Sequence, residues 1–319
     1  MHPRSHSESR THSGRPRPSP LESIQHPAAE LADVQLFCKR DDLYTPAPGT
    51  ALQGNKVRKL APILNDALAS GDDPVLLSFG GAYSNHVAAL ATAGKLYNLR
   101  VHLIIRGEEV DNPLLDYCTT AGARLEKISR TEYRQKHDPA WVETLRQKIA
   151  AEYDISPAHV WLIPEGGTTE AGIENMRHLY DEITADLSAY PDYLALSAGT
   201  GGTAAGIIRA ANARTKVEVY PALKGNWMQK EIAQHLASDQ AENWSCVTGY
   251  HHGGYGKYPK KWITQSSGLA TRADVGEPGL PPLEPIYTAK LFTGVLDRIA
   301  NGHYPPGSTV VVIHTGGIY

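Results

Sequence analysis

Two separate stretches of the chain carry residues that could do chemistry together. Residues 54–60, Gly-Asn-Lys-Val-Arg-Lys-Leu, place Lys56 at the beginning of an amphipathic helix, where its amine could condense with an aldehyde. Residues 197–203, Ser-Ala-Gly-Thr-Gly-Gly-Thr, predict a glycine-rich turn between an apolar strand and a helix. Glycines let the backbone approach a ligand closely, and the free N–H groups at a helix N-terminus bind phosphate. The sequence therefore provides a candidate nucleophile and a candidate phosphate site.

The glycine-rich turn also has a second interpretation. Residues 199–204 fit the G-x-G-x-x-A pattern of a dinucleotide site, in which Glu218 on the next strand would bind a ribose. The local pattern leaves both interpretations open, because a single match of this kind is often accidental. A Gly-Lys-Ser/Thr sequence does not follow the turn, which disfavours a nucleotide triphosphatase.

The first turn of the helix at Lys56 favours one of these interpretations. It carries three cations, Lys56, Arg58 and Lys59, at the end of the helix where the dipole is positive and repels them. A solvated basic helix start would explain them without any function. An anionic cofactor would explain them as well, with Lys59 on its phosphate and Lys56 aimed at its carbonyl carbon. Together with the phosphate turn, this pattern favours pyridoxal phosphate.

A third stretch could bind a carboxylate. Residues 79–86, Phe-Gly-Gly-Ala-Tyr-Ser-Asn-His, predict the end of a strand, a glycine break and a polar cap before a helix. Ser84 and Asn85 are ordinary N-cap residues, so capping alone could account for them. The same helix start could also offer N–H groups to a substrate carboxylate, and Asn85 could bond a cofactor hydroxyl.

The elements that must position these residues alternate between strands and helices. This order predicts an α/β fold with open parallel sheets, in which ligands bind at the carboxyl ends of the strands. Residues 249–285 are rich in Gly, Pro and Tyr and predict mostly loop. Strands are predicted at 34–38, 74–79, 101–105, 124–128, 160–163, 192–197, 216–222 and 309–313, and helices at 56–69, 86–97, 112–120, 141–153, 169–187 and 203–212.

Composition limits the classes of partner. The 319 residues carry a net charge of -3, which disfavours a nucleic acid or an anionic membrane as partner, and no apolar run approaches a membrane span. The 14 histidines are scattered, so no metal site is predicted. Three isolated cysteines suggest a reducing compartment, and the cytoplasm is predicted. Residues 1–20 lack the apolar segment of a secretory signal and predict a disordered tail.

Six motifs occur in an order that identifies a family. The sequence resembles the 1-aminocyclopropane-1-carboxylate deaminase / D-cysteine desulfhydrase family of pyridoxal-phosphate enzymes, which share the tryptophan-synthase-β-like fold. The resemblance runs from about Pro27 to the end of the chain. The motifs are Lys39–Leu43, Gly54–Leu60, Gly80–His86, Gly199–Thr203, Glu284–Tyr287 and His314–Gly317.

The resemblance implies roles for individual residues. Lys56 would bind the cofactor covalently and, once the substrate displaces it, act as the base. Tyr255 and Tyr287 would transfer protons or position the substrate. Asn85 would bond the phenolic oxygen of the cofactor. The substrate contacts implied are Ser84, Asn85, His86, Tyr255 and Tyr287, with the carboxylate at Ser84, and the phosphate contacts implied are Lys59, Gly199, Thr200, Gly201, Gly202 and Thr203.

Two positions bear on the reaction. Family members that open the cyclopropane ring carry a glutamate and a leucine where this chain has Thr288 and Thr315, as desulfhydrase-like members do. A threonine beside the pyridine nitrogen would leave the ring a weaker electron sink than a carboxylate would. The sequence therefore favours α,β-elimination and deamination of a small amino acid, giving a 2-oxo acid and ammonia. The alternatives are the cyclopropane deaminase, a dinucleotide-dependent oxidoreductase and a non-catalytic cofactor-binding protein.

The resemblance also implies how the chain is divided. A large cofactor domain would consist of residues 21–58 and 167–319. A smaller domain, residues 59–166, would be inserted into it and close over the substrate. Relatives are usually homodimers, so a homodimer is expected.

Overall fold

The computed structural model describes residues 16–237, 242–267 and 270–319. The strands are β1 (Leu21–Ser23), β2 (Gln35–Lys39), β3 (Val75–Gly81), β4 (Arg100–Arg106), β5 (Arg124–Ile128), β6 (Val160–Ile163), β7 (Tyr193–Ala198), β8 (Lys216–Pro221), β9 (Trp244–Cys246), β10 (Ile263–Ser267), β11 (Ala270–Ala273) and β12 (Thr309–Ile313). The α-helices are α1 (Pro27–Leu31), α2 (Asn55–Ser70), α3 (Asn85–Tyr97), α4 (Pro113–Thr120), α5 (Arg130–Tyr133), α6 (Pro139–Tyr153), α7 (Glu170–Glu174), α8 (Arg177–Leu187), α9 (Gly202–Ala210), α10 (Trp227–Ala233) and α11 (Thr288–Ala300).

Two sheets organise the chain. The larger has the order β1-β2-β12-β7-β8-β9 and is parallel except for β1, whereas the smaller has the order β5-β4-β3-β6 and is parallel throughout. The central strands are almost continuous runs of buried apolar residues, because helices cover both faces of such sheets. The predicted α/β fold with open parallel sheets is confirmed.

Most predicted elements are present, and the structure also differs from the prediction in several places. The helix predicted at 169–187 is two helices, α7 and α8, separated by a turn at Asn175 and Met176. The side-chain amide of Asn175 donates to the Arg58 carbonyl oxygen at 2.6 Å. The region 249–285, predicted as mostly loop, contains β10 and β11. The sequence analysis does not predict helix α11 or the shorter elements α1, α5, α10, β1 and β9. In α11 the signal was present, because Leu291, Val295 and Ile299 recur at helical spacing and are buried.

Residues 1–15 of the predicted tail lie outside the described residues. Ser19 is buried, and its hydroxyl donates to Asp41 Oδ1 at 3.0 Å, so the tail prediction is wrong at this residue. The strands of the smaller sheet lie between residues 59 and 166, but the boundaries remain a prediction, and the first of them falls within α2. The homodimer and the cytoplasmic location also remain predictions. Among the described residues, no helix has the length and apolar character that a membrane crossing needs.

Candidate active site

A cavity of about 640 Å³ is lined by residues from both sheets. It lies at the carboxyl ends of β3, β7 and β12, where open parallel sheets bind ligands. The sequence-predicted residues that line it are Lys56, Lys59, Ser84, Asn85, His86, Gly199, Thr200, Gly201, Thr203, Tyr255, Tyr287 and Thr315. Of the predicted set, Gly202 and Thr288 do not line the cavity.

The N-termini of helices α2, α3 and α9 line this cavity. The Asn55 side chain joins two of them, donating from Nδ2 to Thr203 Oγ1 at 2.9 Å. Its backbone N–H donates to the Thr315 carbonyl oxygen at 3.3 Å. The preceding Gly54 has φ 60, and a Cβ there would lie 2.2 Å from that same oxygen, so only glycine fits. Converging N-termini polarise the cavity positively, which suits anionic ligands.

The two lysines add charge to this end of the cavity. Burial lowers the pKa of Lys56 to about 8. Burial and then the charge of Lys56 hold the pKa of Lys59 well below its usual value. Lys59 is 2% exposed, and its ammonium has no hydrogen bond or ion pair within the part of the chain that the structure describes. Such a charge is costly unless an anion compensates it.

The third cation of this helix turn has a different role. Arg58 points away from the cavity and forms ion pairs with Asp41 at 2.7 Å and Glu182 at 2.8 Å. Its guanidinium also stacks on the Tyr44 ring, with Cζ 3.7 Å from the centroid. The predicted three-cation cluster is therefore two cations facing the cavity and one buried structural cation.

The glycine-rich turn approaches its neighbours closely. A Cβ on Gly199 would lie 2.9 Å from the Tyr287 hydroxyl oxygen, so the absence of a side chain keeps this part of the cavity open. The Thr200 hydroxyl is hydrogen-bonded to that of Thr168 at 3.1 Å. Gly202 packs against the Thr168 side chain instead of lining the cavity, because it begins α9.

The side chains of Ser84 and His86 do not form capping hydrogen bonds at the start of α3. Ser84 is the N-cap residue of α3, but its side chain makes no capping hydrogen bond. His86 Nε2 lies 2.8 Å from Ser78 Oγ, which itself donates to the Ile163 carbonyl oxygen at 2.8 Å. Since Ser78 has only one hydroxyl proton, His86 must carry its proton on Nε2. Its buried Nδ1 is then an acceptor without a partner among the described residues, and burial followed by the charges of Lys56 and Lys59 lowers its pKa.

The two predicted tyrosines lie together. Their ring centroids are 6.1 Å apart at an interplanar angle of 67°. The Tyr255 hydroxyl donates to the Tyr83 carbonyl oxygen at 3.1 Å. Burial raises the pKa of Tyr255 to about 12 and, with the neighbouring Tyr255 and Glu284, raises the pKa of Tyr287 well above its usual value. Both phenols are therefore protonated at neutral pH and can donate hydrogen bonds.

Thr288, which is predicted to contact the cofactor, does not line the cavity. Its hydroxyl is held inside the turn that starts α11, where it accepts from Glu284 N at 2.9 Å and donates to Glu284 O at 3.2 Å. The side chain is fully buried and points away from the cavity, because the first turn of the helix directs it there. Thr315 does line the cavity, and its hydroxyl has no hydrogen bond with any described residue.

The residue proposed for a ribose in the dinucleotide interpretation is also committed elsewhere. Glu218 lies outside the cavity and accepts from the hydroxyls of Tyr304 at 2.7 Å and Tyr220 at 3.0 Å. Its other oxygen pairs with Arg298 at 2.9 Å. The dinucleotide interpretation therefore lacks its ribose contact.

Sequence reasoning missed several cavity residues. Arg106, Lys136 and Glu165 line the cavity on the side of the smaller sheet. Tyr319 lines it as well, and its hydroxyl donates to Asn85 Oδ1 at 3.3 Å. Only tertiary contacts bring these residues to the site, although Arg106 at the end of a predicted strand was a signal that could have found it.

Comparison with known proteins identifies the family. The profile of the family described as "Pyridoxal-phosphate dependent enzyme" matches residues 13–316. The chain belongs to this family. One relative is a Pyrococcus abyssi protein named "Putative 1-aminocyclopropane-1-carboxylate deaminase". It is 30% identical to this chain over 321 residues, which cover 95% of this chain and 90% of that protein.

Two further comparisons agree. The Arabidopsis thaliana "Bifunctional D-cysteine desulfhydrase/1-aminocyclopropane-1-carboxylate deaminase, mitochondrial" is 28% identical over 308 residues, covering 89% of this chain and 73% of that protein. The solved structure described as "Crystal Structure Analysis of the ACC deaminase homologue" has a TM-score of 0.73 at 24% identity, covering 95% of this chain and 92% of that chain, and shows the same fold. The predicted family and its cofactor, pyridoxal phosphate, are confirmed.

The cavity fits this cofactor by its chemistry. Lys59 supplies a buried charge that needs an anion, and the N-terminus of α9 supplies N–H groups to the same cavity. Lys56 supplies an amine whose lowered pKa makes it nucleophilic near neutral pH. Phosphate and aldehyde are the two groups that these residues can hold.

Proposed function

We propose that this enzyme catalyses α,β-elimination and deamination of a small β-substituted amino acid such as D-cysteine, giving a 2-oxo acid and ammonia. In this proposal Lys56 holds the cofactor, Lys59 and residues 199–203 hold its phosphate, and Asn85 bonds its phenolic oxygen. When bound, pyridoxal phosphate acts as an electron sink that makes the α-proton of an amino acid acidic.

The residues around the cofactor would then handle the substrate. The Ser84 hydroxyl and the N-terminus of α3 would bind the α-carboxylate, which is supported by the absence of a capping hydrogen bond from this hydroxyl among the described residues. Lys56, with a pKa of about 8, is suited to take the α-proton as a base. The phenols of Tyr255 and Tyr287, protonated at neutral pH, can donate a proton to the departing group.

The observation that carries elimination over ring opening is the hydroxyl of Thr315. By the family resemblance Thr315 would face the pyridine nitrogen, and a neutral hydroxyl leaves that nitrogen closer to neutral than a carboxylate does. The nearby carboxylate of Glu284 is already committed, since it accepts backbone N–H groups at 2.8 Å from Ile286 and 2.7 Å from Tyr287. Thr288 does not support the proposal, because its hydroxyl does not line the cavity.

The second candidate function is deamination of 1-aminocyclopropane-1-carboxylate with ring opening. It is favoured by the names of the relatives, several of which are called deaminases of this amino acid. The Arabidopsis relative carries both activities in its name, so the two are compatible with one site.

A substrate panel tests both candidates. The holoenzyme is incubated with D- and L-cysteine, D-serine, β-chloroalanine and the cyclopropane amino acid, and ammonia and 2-oxo acid are measured. We expect release from at least one β-substituted substrate, and its loss in Lys56→Ala. The matched variants Thr315→Ser, which keeps the hydroxyl, and Thr315→Val, which removes it, should differ by about 10-fold in kcat/KM. Turnover of the cyclopropane substrate alone would show that the argument from Thr315 is wrong.

A further inference from the structure

Among the lysines and arginines that line the cavity, Arg106 has no assigned partner within the described residues. In the proposed function Lys56 and Lys59 belong to the cofactor, and Lys136 forms an ion pair with Glu165. Arg106, the last residue of β4, lines the same cavity. Its guanidinium forms neither a hydrogen bond nor an ion pair within residues 16–237, 242–267 and 270–319.

Arg106 lies beside the turn that leads to the proposed carboxylate site. The register of β3 and β4 pairs it with Gly81, and its Nη2 lies 3.5 Å from the position that a Cβ on Gly81 would take. Gly81 is the first residue of the turn 81–84, which ends at the N-terminus of α3. On the same turn the Tyr255 hydroxyl is bonded to the Tyr83 carbonyl oxygen at 3.1 Å.

The Arg106 side chain is exposed, and its guanidinium lies over a ring. Its Cζ lies 5.7 Å from the centroid of Tyr133, which is itself buried. A cation over an aromatic face is attracted to it, and its N–H groups remain available to another partner. Those donors suit phosphate, sulfonate and carboxylate groups, which they can bind in a bidentate manner.

The cavity thus offers an anion two groups besides the proposed phosphate site: the N-terminus of α3 and Arg106. An amino acid with a neutral side chain has only one carboxylate to offer them. We propose that Arg106 selects β-substituted amino acids whose leaving group carries a negative charge, such as O-phosphoserine or S-sulfocysteine. This inference rests on the proposed elimination and names its substrate class.

The reaction balances without any further reactant except water. The α C–H and the Cβ–O or Cβ–S bond break, a C=C bond forms, and the leaving group departs with the electron pair of its bond. One water then hydrolyses the resulting enamine to pyruvate and ammonia. O-phosphoserine would yield inorganic phosphate and S-sulfocysteine would yield thiosulfate.

The test compares anionic with neutral substrates on the holoenzyme. Both enantiomers of O-phosphoserine, S-sulfocysteine, O-acetylserine and β-chloroalanine are assayed for pyruvate. In Arg106→Gln the ratio of kcat/KM for anionic to neutral substrates should fall roughly 10- to 100-fold, with most of the change in KM. Arg106→Lys should restore part of this ratio. The control Arg134→Gln removes an exposed charge that does not line the cavity and should leave the ratio unchanged. An equal ratio in wild type and Arg106→Gln would overturn the inference.

A binding experiment separates this inference from the proposed function. Calorimetry measures the binding of D- and L-aspartate and alanine, neither of which has a leaving group on Cβ that α,β-elimination could expel, to wild type and Arg106→Gln. A loss of roughly 10- to 100-fold for aspartate relative to alanine supports Arg106 as an anion site even if no pyruvate is released from any substrate. Pyruvate release together with equal loss for aspartate and alanine would leave the elimination standing and refute the role of Arg106.

Discussion

The lowered pKa of the Lys56 amine predicts a distinct pH dependence of cofactor binding. With a pKa of about 8, roughly one tenth of this amine is neutral at pH 7, against roughly one in 3,000 for an ordinary lysine. Since only the neutral amine attacks an aldehyde, Lys56 should react roughly 300-fold faster at pH 7 than an ordinary lysine does in the same setting. The cause is burial in the cavity.

The assay is borohydride trapping across pH. Cofactor-free enzyme is mixed briefly with pyridoxal phosphate between pH 6 and 10, reduced, digested and analysed by peptide mass mapping. We expect the adduct at residue 56, with a rate that rises with pH and reaches a plateau above a midpoint of about 8. The reaction rate of N-acetyl-lysine amide, treated in parallel, should continue to rise with pH up to pH 10. A rate at residue 56 that still rises between pH 9 and 10 would refute the burial argument.

A variant of Lys59 separates the two lysines. Burial sets the pKa of Lys56, so Lys59→Met should leave the midpoint near 8. It should raise the concentration of pyridoxal phosphate for half-maximal labelling by roughly 10- to 100-fold, because a charge-assisted contact to phosphate is lost. A shifted midpoint with unchanged concentration dependence would mean that the two roles are assigned the wrong way round.

The same shift predicts how stability depends on pH. The folded-state pKa of Lys56 lies below the ordinary value of 10.5, so between about pH 8 and 10.5 the unfolded chain binds more protons than the folded one. The cofactor-free protein should therefore gain stability as the pH rises through this window. Relative to Lys56→Met, the gain should be roughly 3 kcal/mol, measured as a difference in free energy of unfolding.

Three further predictions test how the site is held. Gly54→Ala should lower the free energy of unfolding by about 2 to 4 kcal/mol, because its Cβ would lie 2.2 Å from a carbonyl oxygen. The control Gly71→Ala has a similar φ without a clash and should lower it by only about 1 kcal/mol. Denaturant unfolding measures both. Arg58→Met leaves the carboxylate of Asp41 buried without its cation, and should lower the free energy of unfolding by about 3 to 5 kcal/mol; a loss under 1 would contradict the buried ion pair. Lys290→Met removes the amine that donates to the carbonyl oxygens of residues 222 and 254 and so holds the loop that carries Tyr255. It should lower kcat/KM about 10-fold without releasing cofactor, which absorbance checks. Unchanged kinetics would argue against a positioning role.

Local chemistry explains what could be predicted from the sequence alone. Strands such as Arg124–Ile128 and Val160–Ile163 were predicted with the observed bounds, because a buried parallel strand is a short apolar or alternating run between turn residues. Lys56 and residues 199–203 were predicted as site residues because a helix start and a glycine turn define their chemistry within a few residues. Helix α11 was overlooked although its periodicity is plain in the sequence.

Only the tertiary structure decided which side chains face the cavity. Arg58 and Lys59 are neighbours in one helical turn, yet the turn directs Arg58 towards Asp41 and Glu182 and Lys59 into the cavity. Thr288 and Arg106 show the same limit: the first follows a tyrosine that lines the cavity but turns away from it, and the second reaches the cavity from another sheet. Direction depends on helix rotation and on how the sheets are placed, and contacts between residues distant in sequence fix both.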